Sequence, residues 1–198
     1  MRSICVFCGS STGSEEVYKT QTKKFGQLIS KNDLTMVYGG GKVGLMGILA
    51  DAVIKSGGKS IGVIPQSIVD LEIAHDNLTE LFVVDSMSER KIKMTELSDA
   101  FVALPGGFGT LDELAEVLTY NQLRIIDKPV GLLNVKGYFD PLIQFFNHAV
   151  EEKFVREEHR NNIFISDNAT ELLEMLKEYQ PVSIDKWIRD IKDESALN

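Results

Sequence analysis

The sequence offers little from which to build a covalent staple, a membrane span or a surface for polyanions. Only two cysteines, Cys5 and Cys8, stand in 198 residues, too few for a disulfide-framed fold. Spelled C-x-x-C, they invite a redox or half-zinc reading. They lie, however, in an apolar run that reads as a strand, where residues three apart face opposite ways. There is no second cysteine pair, and His75, His148 and His159 have no metal-ligand spacing. Two buried thiols in a reducing compartment, and no metal, are expected. No apolar run approaches the about 18 residues of a membrane span, and the run from Ile4 to Cys8 is too short for the core of a signal peptide. Positive charge is also in deficit. Twenty-one Lys and Arg against 29 Asp and Glu give a net charge of −8, which disfavours nucleic acid polymers and anionic membrane surfaces as partners. A small anion is still admissible, because a local nest of amides can override the global charge. Internal repeats, low-complexity tracts and Pro/Gly/Ser linkers are missing too. With 43% apolar residues, the chain can bury a substantial core, and one cytoplasmic globular domain is expected.

What is present is alternation. Apolar runs at 4–8, 34–38, 60–64, 81–84, 100–104 and 130–133, with a weaker one at 163–165, read as strands. Stretches with helical spacing lie between and after them, at about 14–31, 44–56, 86–98, 110–124, 141–153 and 170–180. Strands alternating with helices of this length make βαβ units, and nearly continuous apolar runs fit strands buried on both faces. The expected fold class is α/β, a single doubly wound Rossmann-like domain with a mainly parallel sheet flanked by helices, over residues 1–180. Residues 181–198 read as a charged tail in which Trp187, Ile188 and Ile191 recur at helical spacing.

In such a sheet ligands bind beyond the carboxyl ends of the strands, so the loops there are the places to look. The first, Gly9–Ser14, carries small residues and hydroxyls. Ser10 there can face a phosphate or sugar, or the loop is a plain turn with Ser14 as helix cap. The second, Gly39-Gly40-Gly41-Lys42-Val43-Gly44, satisfies G-x-G-x-x-G between strand and helix. A nicotinamide site would want an acid at the end of the next strand, where Val63-Ile64-Pro65-Gln66 has none; a Walker A reading fails because valine follows Lys42. The loop, Gly41 included, therefore brings backbone close to something, but its dinucleotide signature is incomplete. The third loop, Pro105-Gly106-Gly107-Phe108-Gly109-Thr110-Leu111-Asp112-Glu113, is the strongest. Its glycines let amides turn inward, and the following helix points its positive end at them, a setting for phosphate. Thr110 and Glu113 also satisfy the T-x-x-E capping box, so Glu113 reads equally as cap or as catalytic carboxylate. On the preceding helix, Met87, Arg90, Lys91, Met94 and Leu97 fall on or near one stripe. Two cations beside an apolar face either meet an anionic partner or snorkel outward.

Together these residues resemble the Lonely Guy (LOG) family of cytokinin riboside 5′-monophosphate phosphoribohydrolases. Residues 105–113 match P-G-G-x-G-T-x-x-E, and Met87-Ser88-Glu89-Arg90-Lys91 matches M-x-x-R-K. Val37–Gly41, Gly44–Gly47 and His75–Leu81 are also similar, so the resemblance spans about residues 4–177. It implies hydrolysis of the N-glycosidic bond of a nucleoside 5′-monophosphate, AMP or an N6-substituted AMP, with no cofactor. Arg90 and Glu113 would be catalytic. Gly106, Gly107, Gly109 and Thr110 would hold phosphate, with Ser10, Gly41, Met87 and Lys91 around the substrate. Glu72 and Thr119 contact ligand by the same analogy, although Thr119, six residues from Glu113, falls roughly on the far side of its helix. The resemblance also implies a homodimer with sites near the subunit interface. Ser88 stands where many members have histidine. The label "lysine decarboxylase" that many relatives carry would require a Schiff-base lysine and a pyridoxal phosphate site, for which the sequence has no signal. A nucleotide sensor using the same loop without turnover is the alternative.

Overall fold

A computed structural model describes residues 1–71 and 73–181. Glu72 and the tail from 182 onward, including Trp187, Ile188 and Ile191, lie outside the described residues. Seven strands form one sheet in the order β4-β3-β2-β1-β5-β6-β7, all paired in parallel. They are β1 (Ser3–Phe7), β2 (Thr35–Tyr38), β3 (Lys59–Pro65), β4 (Glu80–Val84), β5 (Phe101–Ala103), β6 (Val130–Leu133) and β7 (Ile163–Ser166). The helices are α1 (Glu16–Lys31), α2 (Gly44–Lys55), α3 (Gln66–Val69), α4 (Met87–Glu96), α5 (Phe108–Gln122), α6 (Asp140–Glu151), α7 (Glu157–Asn161) and α8 (Ala169–Lys177). The doubly wound arrangement is the expected one.

Two cores sandwich the sheet. Phe25 and Ile29 of α1, Leu49 and Val53 of α2, and Leu172 of α8 pack on one face. Met94 of α4, Leu114 and Val117 of α5, and Phe139 pack on the other. Cys5 and Cys8 belong to opposite cores, as strand geometry requires. Both thiols are free and buried, and burial pushes the pKa of each well up. Strands buried on both faces were expected throughout, but β4 closes one edge of the sheet, and there Leu81 and Val83 remain exposed.

The chain runs outward from β1 through β4, then returns to place β5 on the other side of β1. The strand order therefore reverses between β1 and β5, and the loops following those two strands face each other across the switch point, where this fold binds ligands.

Candidate active site

The loop after β1 and the glycine loop after β5 are joined directly: the Gly9 amide donates to Pro105 O at 3.1 Å. The start of α2 presses against the first loop. Leu45 N donates to Gly9 O at 3.0 Å, and Gly44, at φ +60°, has no room for a β carbon against the Ser10 backbone. Between the loops lies a cleft of about 270 Å³, bordered by Ser10, Thr12, Tyr18, Gly106, Gly107 and Tyr138.

At the end of this cleft α5 begins with Gly107 as its N-cap. Its first hydrogen bond runs from Leu111 N to Gly107 O at 3.1 Å, which leaves the amides of Phe108, Gly109 and Thr110 as helix-terminal donors. A β carbon at Gly107 or Gly109 would meet nothing within 4 Å, so this backbone is bare on its outer side and approachable by an anion. The capping box expected from Thr110 and Glu113 is not formed, because the helix starts two residues before Thr110. Thr110 is instead a buried third residue of the helix, packed so closely on Gly106 that a β carbon there would overlap its side chain. Reciprocal capping appears at α4: Ser86 Oγ accepts from Glu89 N at 3.1 Å, and Glu89 Oε2 accepts from Asp85 N at 2.9 Å. Ser14 does not cap α1 either; the N-cap is Glu15, without a side-chain bond.

Glu113, freed of a capping role, is buried, its side chain 9% exposed, and Arg90 Nη1 lies 3.4 Å from its Oε1. Burial raises the Glu113 carboxyl from 4.5 to about 7, with Arg90 pulling the other way. Arg90 is fixed independently. Its Nε donates to Val63 O at 3.0 Å, its Nη1 lies 3.8 Å from Met87 Sδ, and its guanidinium rests where a side chain on Gly39 would be. The anionic partner that the Met87–Leu97 stripe called for is thus Glu113. Lys91 reaches the same helix lower down, pairing with Asp112 at 3.1 Å and Glu116 at 2.8 Å. Glu116 raises the Lys91 pKa most, so the amine stays charged.

A family model described as "Possible lysine decarboxylase" matches residues 46–176. The chain is 47% identical over 191 residues to the probable cytokinin riboside 5′-monophosphate phosphoribohydrolase LOGL2 of Oryza sativa subsp. japonica, covering 94% of this chain and 78% of that one. It is 48% identical over 181 residues to cytokinin riboside 5′-monophosphate phosphoribohydrolase LOG1 of Arabidopsis thaliana, covering 91% and 84%. The chain belongs to the LOG family. Among solved structures, the molybdenum cofactor binding protein of Rippkaea orientalis aligns with TM-score 0.67 at 21% identity, over 89% of this chain and 96% of that one. The protein TM1055 aligns with TM-score 0.69 at 18% identity, over 90% and 100%. At such identities these two speak for the fold alone.

The two LOG motifs meet across the α4–α5 contact, one supplying Arg90 and the other Glu113. Other residues singled out from the sequence are placed differently. Gly106, Gly107 and Ser10 border the cleft. Gly41 does not: it is buried, its carbonyl accepts from Tyr38 OH at 3.2 Å, and it pairs with Ala74. Ser88 is exposed on the first turn of α4. Thr119 bonds to Ala115 O at 2.8 Å and borders an apolar groove with Leu111, Leu118, Leu142 and Phe145 on the outer face of α5. Tyr18 and Tyr138 were missed; the only sequence signal for Tyr138 was its place in a loop following a strand.

Proposed function

We propose that this LOG-family protein hydrolyses the N-glycosidic bond of a nucleoside 5′-monophosphate, AMP or an N6-substituted AMP of the cytokinin type, giving free base and ribose 5-phosphate. The relatives are named for that reaction class. The observation that carries the reading is the buried Arg90–Glu113 pair one turn into a helix whose N-terminal amides are open to an anion.

The phosphate rests on the amides at the start of α5, from Gly107 through Gly109 and Thr110, with Gly106 and Ser10 framing it. The ribose then lies over the first turns of α5, within reach of Glu113. A carboxyl held near pH 7 is suited to exchanging protons at neutral pH. As the water oxygen bonds to C1′, Glu113 takes its proton; the C1′–N bond breaks, its electron pair leaves with the base, and the proton passes to the base nitrogen. The carboxylate also stabilises the oxocarbenium-like transition state. Arg90 stabilises the electron-rich departing base, Met87 offers apolar surface beside it, and Lys91 holds α4 against α5. Water is the sole co-reactant and no oxidation state changes, so the reaction calls for no redox cofactor. Glu72 and Thr119 enter by family analogy. Thr119 faces away from its own Glu113, so its contact would be to a ligand in a second copy. This favours a homodimer joined along the outer face of α5. Two free thiols suit the cytoplasm.

Incubation with AMP and with N6-isopentenyl-AMP, with free base and ribose 5-phosphate resolved by chromatography, tests the reading. Equal amounts of the two products are expected. Tight nucleotide binding without release would refute the enzyme and leave a sensor.

A further inference from the structure

The cleft has an aromatic wall that neither LOG motif explains. Tyr138, just beyond β6, donates its hydroxyl to Gly106 O at 2.5 Å. Its ring meets Tyr18 of α1 edge-on at 5.9 Å, and both tyrosines border the cleft beside Ser10 and Gly107. The backbone that delivers Tyr138 is unusual. Lys136 and Gly137 are consecutive residues at φ 55° and φ 71°, a conformation that is costly for lysine and recurs where structure serves a site. This bend is pinned from three sides. Asn134 Oδ1 accepts from Phe139 N at 2.8 Å, Asn134 Nδ2 donates to Asp140 Oδ1 at 2.7 Å, and Lys136 pairs with Glu15 at 2.6 Å.

The trans peptide supplies the consequence. The carbonyl of residue 106 and the N–H of residue 107 share one plane and point in opposite directions. With glycine on both sides, no β carbon of either residue opposes rotation of that plane. We propose that Tyr138 is a positioning residue for phosphate recognition: by holding the Gly106 carbonyl, it keeps that oxygen off the anion and presents the Gly107 amide with the other donors of α5. A flipped plane would set a carbonyl oxygen against the phosphate. The proposal rests on the phosphate site described above and deepens it.

Tyr138→Phe keeps the ring and removes only the hydroxyl. Two quantities are read: the Kd of ribose 5-phosphate by calorimetry, and the division of the kinetic change on AMP between KM and kcat. The expected result is a Kd and a KM raised about three- to tenfold, the span of one neutral hydrogen bond, with kcat within about twofold. An unchanged Kd, or a kcat that falls while KM stays fixed, overturns the proposal. So does a lowered melting temperature with affinity intact, which would assign the hydroxyl to the fold alone. The calorimetric arm needs no turnover. Native protein that binds ribose 5-phosphate but never cleaves AMP would sink the hydrolytic reading and leave this test readable, whereas no binding at all would overturn both.

Discussion

Glu113→Gln should produce a protein that is more stable than the native one at neutral pH and nearly inactive. The side chain keeps its shape and loses its charge. In the fold the carboxyl titrates at about 7 rather than 4.5, so the folded state holds a proton that the unfolded chain has already released between those values. Stability from this group is therefore full below about pH 4.5 and is lost as pH rises to about 7. At about 1.4 kcal/mol per pH unit, ionising Glu113 in place comes to about 3 kcal/mol. Glutamine has no such dependence. The melting temperature of the mutant should gain on that of the native protein across this window, by about 6–12 °C for a chain of this size, and the gap should stay level above it. Turnover of AMP should fall by about 10²–10⁴. Paired thermal melts from pH 4.5 to 8.5, with base release measured at pH 7, decide the matter. A gap that does not widen with pH would show that Glu113 ionises like an exposed carboxylate, and the dry-site argument would fail. Native-like turnover in the mutant would remove Glu113 from the chemistry.

Two further changes probe the other half of the pair. Turnover by the native protein should rise with pH through about 7, because the reaction uses ionised Glu113; Arg90→Ala should move that limb upward, since Arg90 lowers the Glu113 pKa, and should depress kcat far more than it weakens AMP binding. A limb that stays in place contradicts the pairing, and a loss confined to affinity makes Arg90 a clamp. Gly39→Ala places a methyl where the guanidinium rests and should lower stability by about 1–3 kcal/mol, read by urea unfolding, while cutting turnover at least tenfold; full activity would mean that this seat of Arg90 does not matter.

The sheet was readable because its central strands are buried on both faces and so appear as unbroken apolar runs. Val37 and Val102 are both wholly buried in this way. Helices α3 and α7 went unread because four and five residues are too few to show a period. The glycine loop reads from sequence as a candidate anion site, but the detail of its backbone does not. T-x-x-E is also consistent with a helix that starts two residues early, and only packing, with Thr110 driven under Gly106, distinguishes the two. That difference turned Glu113 from an exposed cap into a buried acid. Arg90 was anticipated from the expense of burying charge, whereas its seat on Gly39 joins residues 51 apart in sequence, which no local pattern encodes. Tyr138 escaped for the same reason: its contact to Gly106 spans 32 residues, and a lone tyrosine after a strand has no signature.

The two thiols, one in the central strand and one just past its end, make the molecule its own stopwatch. Cys5 is sealed beneath the layer of α4 and α5, Cys8 beneath that of α1 and α2, and neither ionises readily while covered. A thiol reagent can therefore register only excursions that uncover them, and the two positions score opposite sides of the sheet. Equal labelling rates would mean that both layers lift together in one cooperative event; unequal rates would reveal which layer peels first. No probe has to be engineered in to ask the question.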